Sequence, residues 1–168
     1  IPETPKPLDK VFSNVTNILV GTNRQSLIAA SVKGAALGYN TLLLTSRLTG
    51  EAKEAAKFFY GIAEEVCNYD SPLTKPALII AGGETTVTIK GNGKGGRNQE
   101  MALAFLSQLA ERAEQSYSIY FLSGATDGND GPTDAAGAYA CSEFAAHAEE
   151  LGLSAQDYLQ NNDAYTFY

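Results

Sequence analysis

The sequence predicts an α/β domain in which helices cover both faces of a mixed, mostly parallel β-sheet, a layered α/β/α arrangement. Short apolar, β-prone runs alternate with segments of helical periodicity along most of the chain. Glycine bounds these apolar runs, which is typical of strands covered on both faces. With 168 residues, 44% of them hydrophobic and 18% charged, the chain has enough apolar material for the core of one domain.

The first half of the chain is predicted to form two strand–helix units after an extended start. Pro2, Pro5 and Pro7 indicate an extended linker over residues 1–12, because each proline restricts its own backbone and that of its predecessor. A single α/β domain is expected over residues 13–168. The predicted elements are a strand at Asn17–Val20, a helix at Gln25–Leu37, a strand at Thr41–Thr45 and a helix at Thr49–Val66, with Thr49 as its N-cap.

The second half continues the alternation and adds one hairpin. Gly82-Gly83 separates two β-prone runs, and the pattern predicts that the second run turns back to pair antiparallel with the first. A mixed sheet follows from this pairing. The predicted elements are strands at Ala77–Ala81 and Thr85–Lys90, a helix at Gln99–Arg112, a strand at Ile119–Leu122 and a helix at Ala135–Leu151 that Gly152 ends.

Charge and composition exclude several classes of function. A formal net charge of -7 disfavours a nucleic-acid surface, since phosphate backbones are bound by clustered Lys and Arg. Cys67 and Cys141 match no metal-ligand spacing and are too few for a secreted disulfide scaffold. No apolar run reaches the length of a membrane span, and the opening IPETPKPLDK lacks the features of a signal peptide. We therefore expect a cytoplasmic protein without membrane or nucleic-acid partners.

The first glycine-rich loop, Gly91–Glu100 (GNGKGGRNQE), is a candidate phosphate site. Its glycines allow a ligand to approach the backbone, a helix is predicted to begin at its end, and Lys94 and Arg97 supply positive charge. The alternative is a flexible hairpin loop with solvated charges. Gly91, Gly93 and Gly96 satisfy G-x-G-x-x-G, but no carboxylate ends the next predicted strand to bind a ribose. Arg97-Asn98 stands where a Walker loop requires Lys-Ser/Thr.

The second glycine-rich loop, Gly124–Gly137 (GATDGNDGPTDAAG), carries three aspartates. Carboxylates in this density suggest a hard cation such as Mg²⁺, or one general base flanked by structural aspartates. The alternative has Asp134 as the N-cap of the predicted helix and Asp130-Gly131-Pro132 as an ordinary turn. Asp127 is the preferred candidate for chemistry, either as base or as metal ligand, because it is nearest the strand end.

Three further polar residues are weighed as candidates. Glu84 follows a predicted strand, and it is expected to reach a ligand hydroxyl, to pair with Arg97 or simply to lie on the surface. Asn23 opens the first helix, where it either lines the same cleft or acts only as a cap. His147 is the only histidine and is expected on the surface of a helix, which leaves a histidine-activated nucleophile without a base.

Two long stretches resemble the signature sequences of a known family. GGETTVTIKGNGKGGRNQEMALAF (Gly82–Phe105) and SGATDGNDGPTDAAGA (Ser123–Ala138) are similar to the MOFRL domain, the C-terminal half of type-2 glycerate kinases, formerly described as hydroxypyruvate reductases. TSRLTGEAKEAAKF (Thr45–Phe58) also resembles the family. The resemblance covers nearly the whole chain. The family's N-terminal half, with its catalytic lysine, and its C-terminal Thr-Gly-Pro-Thr-x-x-Asn segment are not in this sequence, so a fragment that is inactive alone is expected.

The resemblance implies ATP-dependent phosphorylation of D-glycerate to 2-phosphoglycerate, with Mg²⁺, in a cleft shared with a Rossmann-like N-terminal domain. Arg97 would stabilise the phosphoryl group or hold the glycerate carboxylate, and Asp127 would orient or deprotonate the hydroxyl or bind Mg²⁺. An NAD(P)H-dependent hydroxypyruvate reductase and a non-catalytic ligand-binding module remain as alternatives. The further candidates for binding substrate or nucleotide are Glu84, Gly93, Lys94, Gly95, Gly96, Asn98 and Asn23.

Overall fold

Four strands and six α-helices occur in the part of the chain that the computed structural model describes, residues 3–111 and 118–168. A 3₁₀ turn at Lys10–Phe12 precedes them. The elements are α1 (Asn23–Ala36), β1 (Asn40–Leu48), α2 (Ala52–Tyr69), β2 (Ala77–Gly83), α3 (Arg97–Ala110), β3 (Tyr120–Gly124), β4 (Gly137–Cys141), α4 (Ser142–Glu150), α5 (Ala155–Gln160) and α6 (Ala164–Phe167).

The strands form one parallel and one antiparallel pair. β1 and β2 run parallel, from Asn40 opposite Ala77 to Leu48 opposite Gly83, and α1 packs on both strands. β3 and β4 run antiparallel, from Tyr120 opposite Cys141 to Gly124 opposite Gly137. The predicted α/β class is confirmed, and both parallel and antiparallel pairing occur, although the antiparallel pair is β3–β4, in a sheet separate from β1–β2, and not the predicted hairpin.

Helix α3 lies at the centre of the core. Leu103, Phe105 and Leu106 are at most 1% exposed, and the helix contacts α2, α4 and β4. The Phe105 ring stacks on Phe121 with centroids 4.3 Å apart, and it meets Tyr60 edge-on at 5.5 Å. Because α3 is packed on nearly every side, the position of its N-terminus is determined by the core.

Two predicted strands are wrong. Residues 17–20 have no strand partner among the described residues, and Ile18, Leu19 and Val20 are 77%, 81% and 93% exposed. The hairpin at Thr85–Lys90 does not form, because the chain continues in the direction of β2 instead of turning back. The amide of Glu84 donates to the Leu48 carbonyl, and Thr86 then makes a parallel bridge with Glu51.

The predicted helix at Ala135–Leu151 is wrong over its first third. Gly137–Cys141 is strand β4, because hydrogen bonds to β3 outweigh the helical propensity of its two alanines, and the helix begins only at Ser142. Helix α2 begins at Ala52, so Thr49 is not its N-cap. The predicted helices at Gln25–Leu37 and Gln99–Arg112 correspond to α1 and α3, although Arg112 lies outside the described residues. No helix in residues 3–111 or 118–168 is long and apolar enough to cross a membrane.

Candidate functional site

Asn23 lies where the parallel strands end. Its side-chain Nδ2 donates to the Ser46 carbonyl at 2.9 Å, and it approaches Gly82 so closely that a Cβ at Gly82 would overlap the Asn23 amide. Thr22, not Asn23, caps α1, because the Thr22 hydroxyl accepts from the Gln25 amide. The capping interpretation of Asn23 is therefore wrong, and its amide belongs to the edge of the β1–β2 pair, where ligands of α/β sheets bind.

Glu84 and Arg97 pair at the same edge of the sheet. The Arg97 Nη2 atom is 3.5 Å from Glu84 Oε1, which confirms one of the contacts expected for Glu84. The Glu84 side chain is 79% exposed and the Arg97 side chain 36%. An exposed ion pair of this kind contributes little to stability, so both groups remain accessible to an anionic or hydroxyl-bearing ligand.

The backbone amides of Lys90 and of the first four loop residues, Gly91–Lys94, all donate to the C-terminal segment of the chain. Those of Lys90 and Gly91 donate to the Asn162 side chain at 2.7 and 3.0 Å. The next three donate to residues 161–163, and the acceptors are Asn161 Oδ1 for Asn92, the Asn161 carbonyl for Gly93 and Asp163 Oδ1 for Lys94. The expectation that the backbone contacts a ligand from Gly93 onward is therefore wrong for the amides of Gly93 and Lys94.

The glycines of this loop allow its backbone to pack closely against residues 161–163. A Cβ at Gly91 would overlap the backbone of Asn161, and one at Gly93 would overlap Asp163. Gly95 is the exception, because its Cβ would make only an ordinary contact with Ala164 at 3.4 Å. Within the described part of the chain, the amides of Gly95, Gly96 and Arg97 have no acceptor, and they are the ones left for an anion.

Lys94 connects the two glycine-rich loops through Tyr165. Its Nζ lies 4.3 Å from the centre of the Tyr165 ring, and the Tyr165 hydroxyl donates to Asp134 Oδ1 at 2.6 Å. This hydrogen bond lowers the pKa of Asp134 and raises the pKa of Tyr165. Asp134 does not cap a helix as predicted, since the residues that follow it lead into β4.

Asp130, expected either as a structural aspartate or in an ordinary turn, is a buried structural residue. It is fully buried, and its carboxylate accepts from the backbone amides of Asn98 and Gln99 at 3.0 and 2.8 Å and from Asn98 Nδ2 at 2.9 Å. A Cβ at Gly96 would overlap Asp130. The carboxylate thus satisfies the N-terminus of α3 and joins the second loop to the first. Sequence spacing alone carried no signal of this long-range contact.

The Asn98 side chain is bonded within the protein at both ends. Its Nδ2 donates to Asp130, and its Oδ1 accepts from the Ser123 hydroxyl at 2.8 Å. Asn98 therefore holds β3 and the second loop against α3, and each of its polar side-chain atoms makes one hydrogen bond within the protein. Ser123, which ends the apolar run of β3, was not identified from the sequence.

Asp127 is exposed and belongs to the second loop. Its Oδ1 accepts only a 3.3 Å bond from the Asn129 amide among the described residues, so the carboxylate is accessible. No group of three or more His, Cys, Asp or Glu residues suited to a metal ion occurs in residues 3–111 and 118–168. A lone accessible carboxylate fits Mg²⁺ that is held chiefly by substrate phosphates and water.

His147 and the cysteines take no part in this arrangement. The His147 side chain is 67% exposed and lies 3.4 Å from Glu150, which confirms the predicted surface histidine. Cys67 and Cys141 are free thiols, and burial raises the pKa of each. A raised pKa disfavours the thiolate, so neither cysteine is suited to act as a nucleophile.

The fold and the site together define an α/β domain whose two glycine-rich loops meet at the N-terminus of a buried helix. Residues 77–168 match the MOFRL family, and the chain belongs to that family. The predicted resemblance is thereby confirmed.

Relatives of this chain include enzymes and a solved structure. It is 42% identical over 163 residues to D-glycerate 2-kinase of Thermotoga maritima, covering 97% of this chain and 37% of that protein. It is 32% identical to glycerate kinase of Homo sapiens, covering 92% of this chain and 36% of that protein. A crystal structure of glycerate kinase from Thermotoga maritima superimposes with a TM-score of 0.84 at 41% identity, over 98% of this chain and 38% of that one. The chain thus spans little more than a third of these relatives.

Proposed function

We propose that this chain is the C-terminal domain of a glycerate 2-kinase, an enzyme that transfers the γ-phosphoryl group of ATP to D-glycerate and forms 2-phosphoglycerate. The observation that carries the proposal is the placement of Arg97. It begins α3 at the end of the glycine-rich loop, with an accessible guanidinium and Glu84 as its ion-pair partner. The names of the relatives support the same reaction.

Phosphoryl transfer requires positioning and charge neutralisation more than covalent catalysis. The guanidinium of Arg97 offers two parallel hydrogen bonds to a phosphoryl group or to the glycerate carboxylate. The amides of Gly95 and Gly96, at the start of α3, would bind the same ligand, because the helix dipole there favours negative charge. Lys94 adds a cation beside them.

Asp127 and Glu84 are proposed to act on the acceptor and the metal. Asp127 would orient or deprotonate the attacking hydroxyl or would ligate Mg²⁺, and its exposed carboxylate suits each role. Glu84 and Asn23, at the carboxyl ends of β1 and β2, would hold the glycerate hydroxyls. Mg²⁺, when bound with ATP, supplies neutralisation of the phosphate charge.

We further propose that a second, N-terminal domain of the same protein supplies the facing wall of the site, and that this chain alone is inactive. The relatives are long enough to contain one, since the matched region is 36–37% of their length. The exposed apolar run Ile18–Val20 and the exposed Val32 of α1 offer this domain a surface to cover. We expect a cytoplasmic enzyme.

The reductase alternative is less well supported. A dinucleotide fingerprint requires a strand before its glycine loop and loop amides that face the pyrophosphate. Here Thr88–Lys90 is not in a strand, and the amides from Lys90 to Lys94 face residues 161–163. The remaining alternative is a module that binds a ligand without catalysing a reaction. The assay described next tests it against the kinase.

A coupled assay on the full-length protein tests the proposal. Glycerate-dependent consumption of ATP is expected, and Arg97→Ala should lower turnover at least about tenfold, the size of one lost transition-state contact of about 1.4 kcal/mol. Lys57→Ala is the matched control, because Lys57 is an exposed cation on α2 that pairs only with Glu54 at 3.1 Å in the described structure. Oxidation of NAD(P)H with hydroxypyruvate, or normal turnover in Arg97→Ala, would contradict the proposal.

A further inference from the structure

Asn162 lies between α5 and α6 with a backbone conformation that few residues adopt. Its φ is +53°, in the left-handed region that asparagine tolerates better than most side chains. This conformation accompanies a side chain that makes four hydrogen bonds. Its Oδ1 accepts from the amides of Lys90 and Gly91, and its Nδ2 donates to Glu100 Oε2 at 2.9 Å and to the Thr88 carbonyl at 3.4 Å.

The orientation of the Asn162 amide is determined by these partners. Backbone amides can only donate, so the oxygen must face Lys90 and Gly91. The Thr88 carbonyl can only accept, so the nitrogen must face the other way, toward Glu100. Asparagine, with an acceptor and a donor at equal reach, is the side chain that satisfies both directions.

The residues on either side of Asn162 extend the contact along the loop. Asn161 accepts from Asn92 and Gly93, and Asp163 accepts from Lys94. Five consecutive amides, from Lys90 to Lys94, are therefore held by three consecutive residues. Glycine-rich backbone loses more entropy on ordering than any other, so without these acceptors the segment leading to Arg97 would be free to move.

Glu100 holds the other side of Asn162. It lies in the first turn of α3, its residue is 4% exposed, and its carboxylate accepts the Asn162 Nδ2 hydrogen bond. Lys53 in the first turn of α2 and Glu51 just before that helix are the other charged groups that act on it. The contact ties the C-terminal segment to the same helix turn that begins with Arg97.

We propose that Asn162 is a positioning residue: bonded to Glu100 on one side and to the loop amides on the other, it holds the glycine-rich loop so that Lys94 and Arg97 are presented to the ligand. The inference rests on the proposed phosphoryl transfer. Asn162 acts through the loop and touches no substrate.

Three variants of the full-length protein test this role. Asn162→Gly keeps the left-handed backbone but removes all four side-chain bonds. Asn162→Asp keeps the acceptor for the loop amides but places a second carboxylate against Glu100. Asn162→Asp with Glu100→Gln exchanges the amide and the carboxylate and restores a donor–acceptor pair. Asn68→Gly, at an exposed asparagine near the end of α2, is the control for a general loss of stability.

Two readouts separate positioning from mere stability. In Asn162→Gly, we expect hydrogen exchange of the Lys90–Lys94 amides to accelerate at least about tenfold, with the core amides of α2 unchanged. Turnover with ATP and glycerate should fall at least about tenfold, while the KM for each substrate changes less than about threefold. Asn162→Asp should be similarly impaired, and the double variant should recover to within about threefold of the wild type.

Unchanged loop exchange in Asn162→Gly, or a double variant no better than Asn162→Asp, would overturn the proposal. Equal losses in Asn162→Gly and Asn68→Gly would do the same. If the wild-type protein consumes no ATP with glycerate, the proposed function fails. The exchange measurement then still decides whether Asn162 holds the loop.

Discussion

Replacing Asp130 by alanine is expected to destabilise the junction of the two glycine-rich loops more than any change at an exposed aspartate. Asp130 is fully buried, and its carboxylate receives three hydrogen bonds from Asn98 and Gln99 at 2.8–3.0 Å. In Asp130→Ala, two backbone amides and one side-chain amide lose their acceptor. Each buried donor left without a partner costs about 1–3 kcal/mol, and the helix N-terminus also loses a charge that stabilises its dipole.

These contributions are not independent, because Asn98 supplies two of the three donors and can turn toward Ser123. We therefore expect a loss of about 3–5 kcal/mol for Asp130→Ala, in the range of a broken buried network. Asp130→Asn should cost about 2–3 kcal/mol, since one amide oxygen still accepts while the new NH₂ group faces a donor. Asp134→Ala, in the same loop, is the matched control. Asp134 is exposed and bonded to the Tyr165 hydroxyl, so a loss below about 1 kcal/mol is expected.

Native-state hydrogen exchange at the centre of α3, over Leu103–Leu106, measures this difference in the full-length protein. The measurement does not assume that the whole protein unfolds in one two-state transition. A loss of 3–5 kcal/mol corresponds to about 10²- to 4 × 10³-fold faster exchange of these amides, since about 1.4 kcal/mol is tenfold. If the α3 amides exchange no faster in Asp130→Ala than in Asp134→Ala, the carboxylate does not hold the helix, and the reasoning is refuted.

Three further predictions follow from the same contacts. By the same exchange measurement, Gly96→Ala should lower the free energy of unfolding by about 1–3 kcal/mol, because its Cβ would overlap Asp130. Gly95→Ala should lower it by less than about 1 kcal/mol. Equal losses in the two variants would contradict the packing argument. Burial raises the pKa of Glu100, so the folded protein binds this proton more tightly than the unfolded chain and loses stability as pH rises above the ordinary glutamate value of about 4.3. Glu100→Gln should therefore raise Tm at pH 8 and have little effect at pH 4, and a difference independent of pH would exclude this cause. Tyr165→Phe removes the hydroxyl that lowers the pKa of Asp134, so an NMR titration of Asp134 should show its pKa rising toward about 3.9.

The elements that the sequence predicted correctly carry their signal within one short window. The leucine run of β1, the isoleucines of β2 and the helical periodicity of α2 each identify their element without reference to the rest of the chain. The sequence also predicted one contact between residues that belong to different elements. Glu84 follows one strand and Arg97 begins the next helix, so both were expected at the same edge of the sheet.

The features that sequence reasoning missed depend on residues far apart in the chain. Strand β4 has only alanine, glycine, tyrosine and cysteine, and it is a strand because β3 offers a hydrogen-bonding edge. Asn161, Asn162 and Asp163 form a polar run that resembles a loop in sequence. Their role depends on the loop near Gly91, about seventy residues earlier, which no local pattern can indicate.

The distinction between local sequence signals and long-range contacts also changes how the glycines of the first loop are interpreted. A glycine-rich loop before a helix suggests a backbone left open for phosphate, yet a Cβ at Gly91, Gly93 or Gly96 would meet the protein's own chain. The need for glycine is therefore explained by internal packing, and it gives no independent support for a ligand at those three positions. An anionic ligand is supported instead by the positive charges of Lys94 and Arg97, which the packed loop places at the start of α3. A ligand at this site must be recognised mainly by the side chains of Lys94 and Arg97, and the amides of Gly95 and Gly96 are its nearest backbone donors.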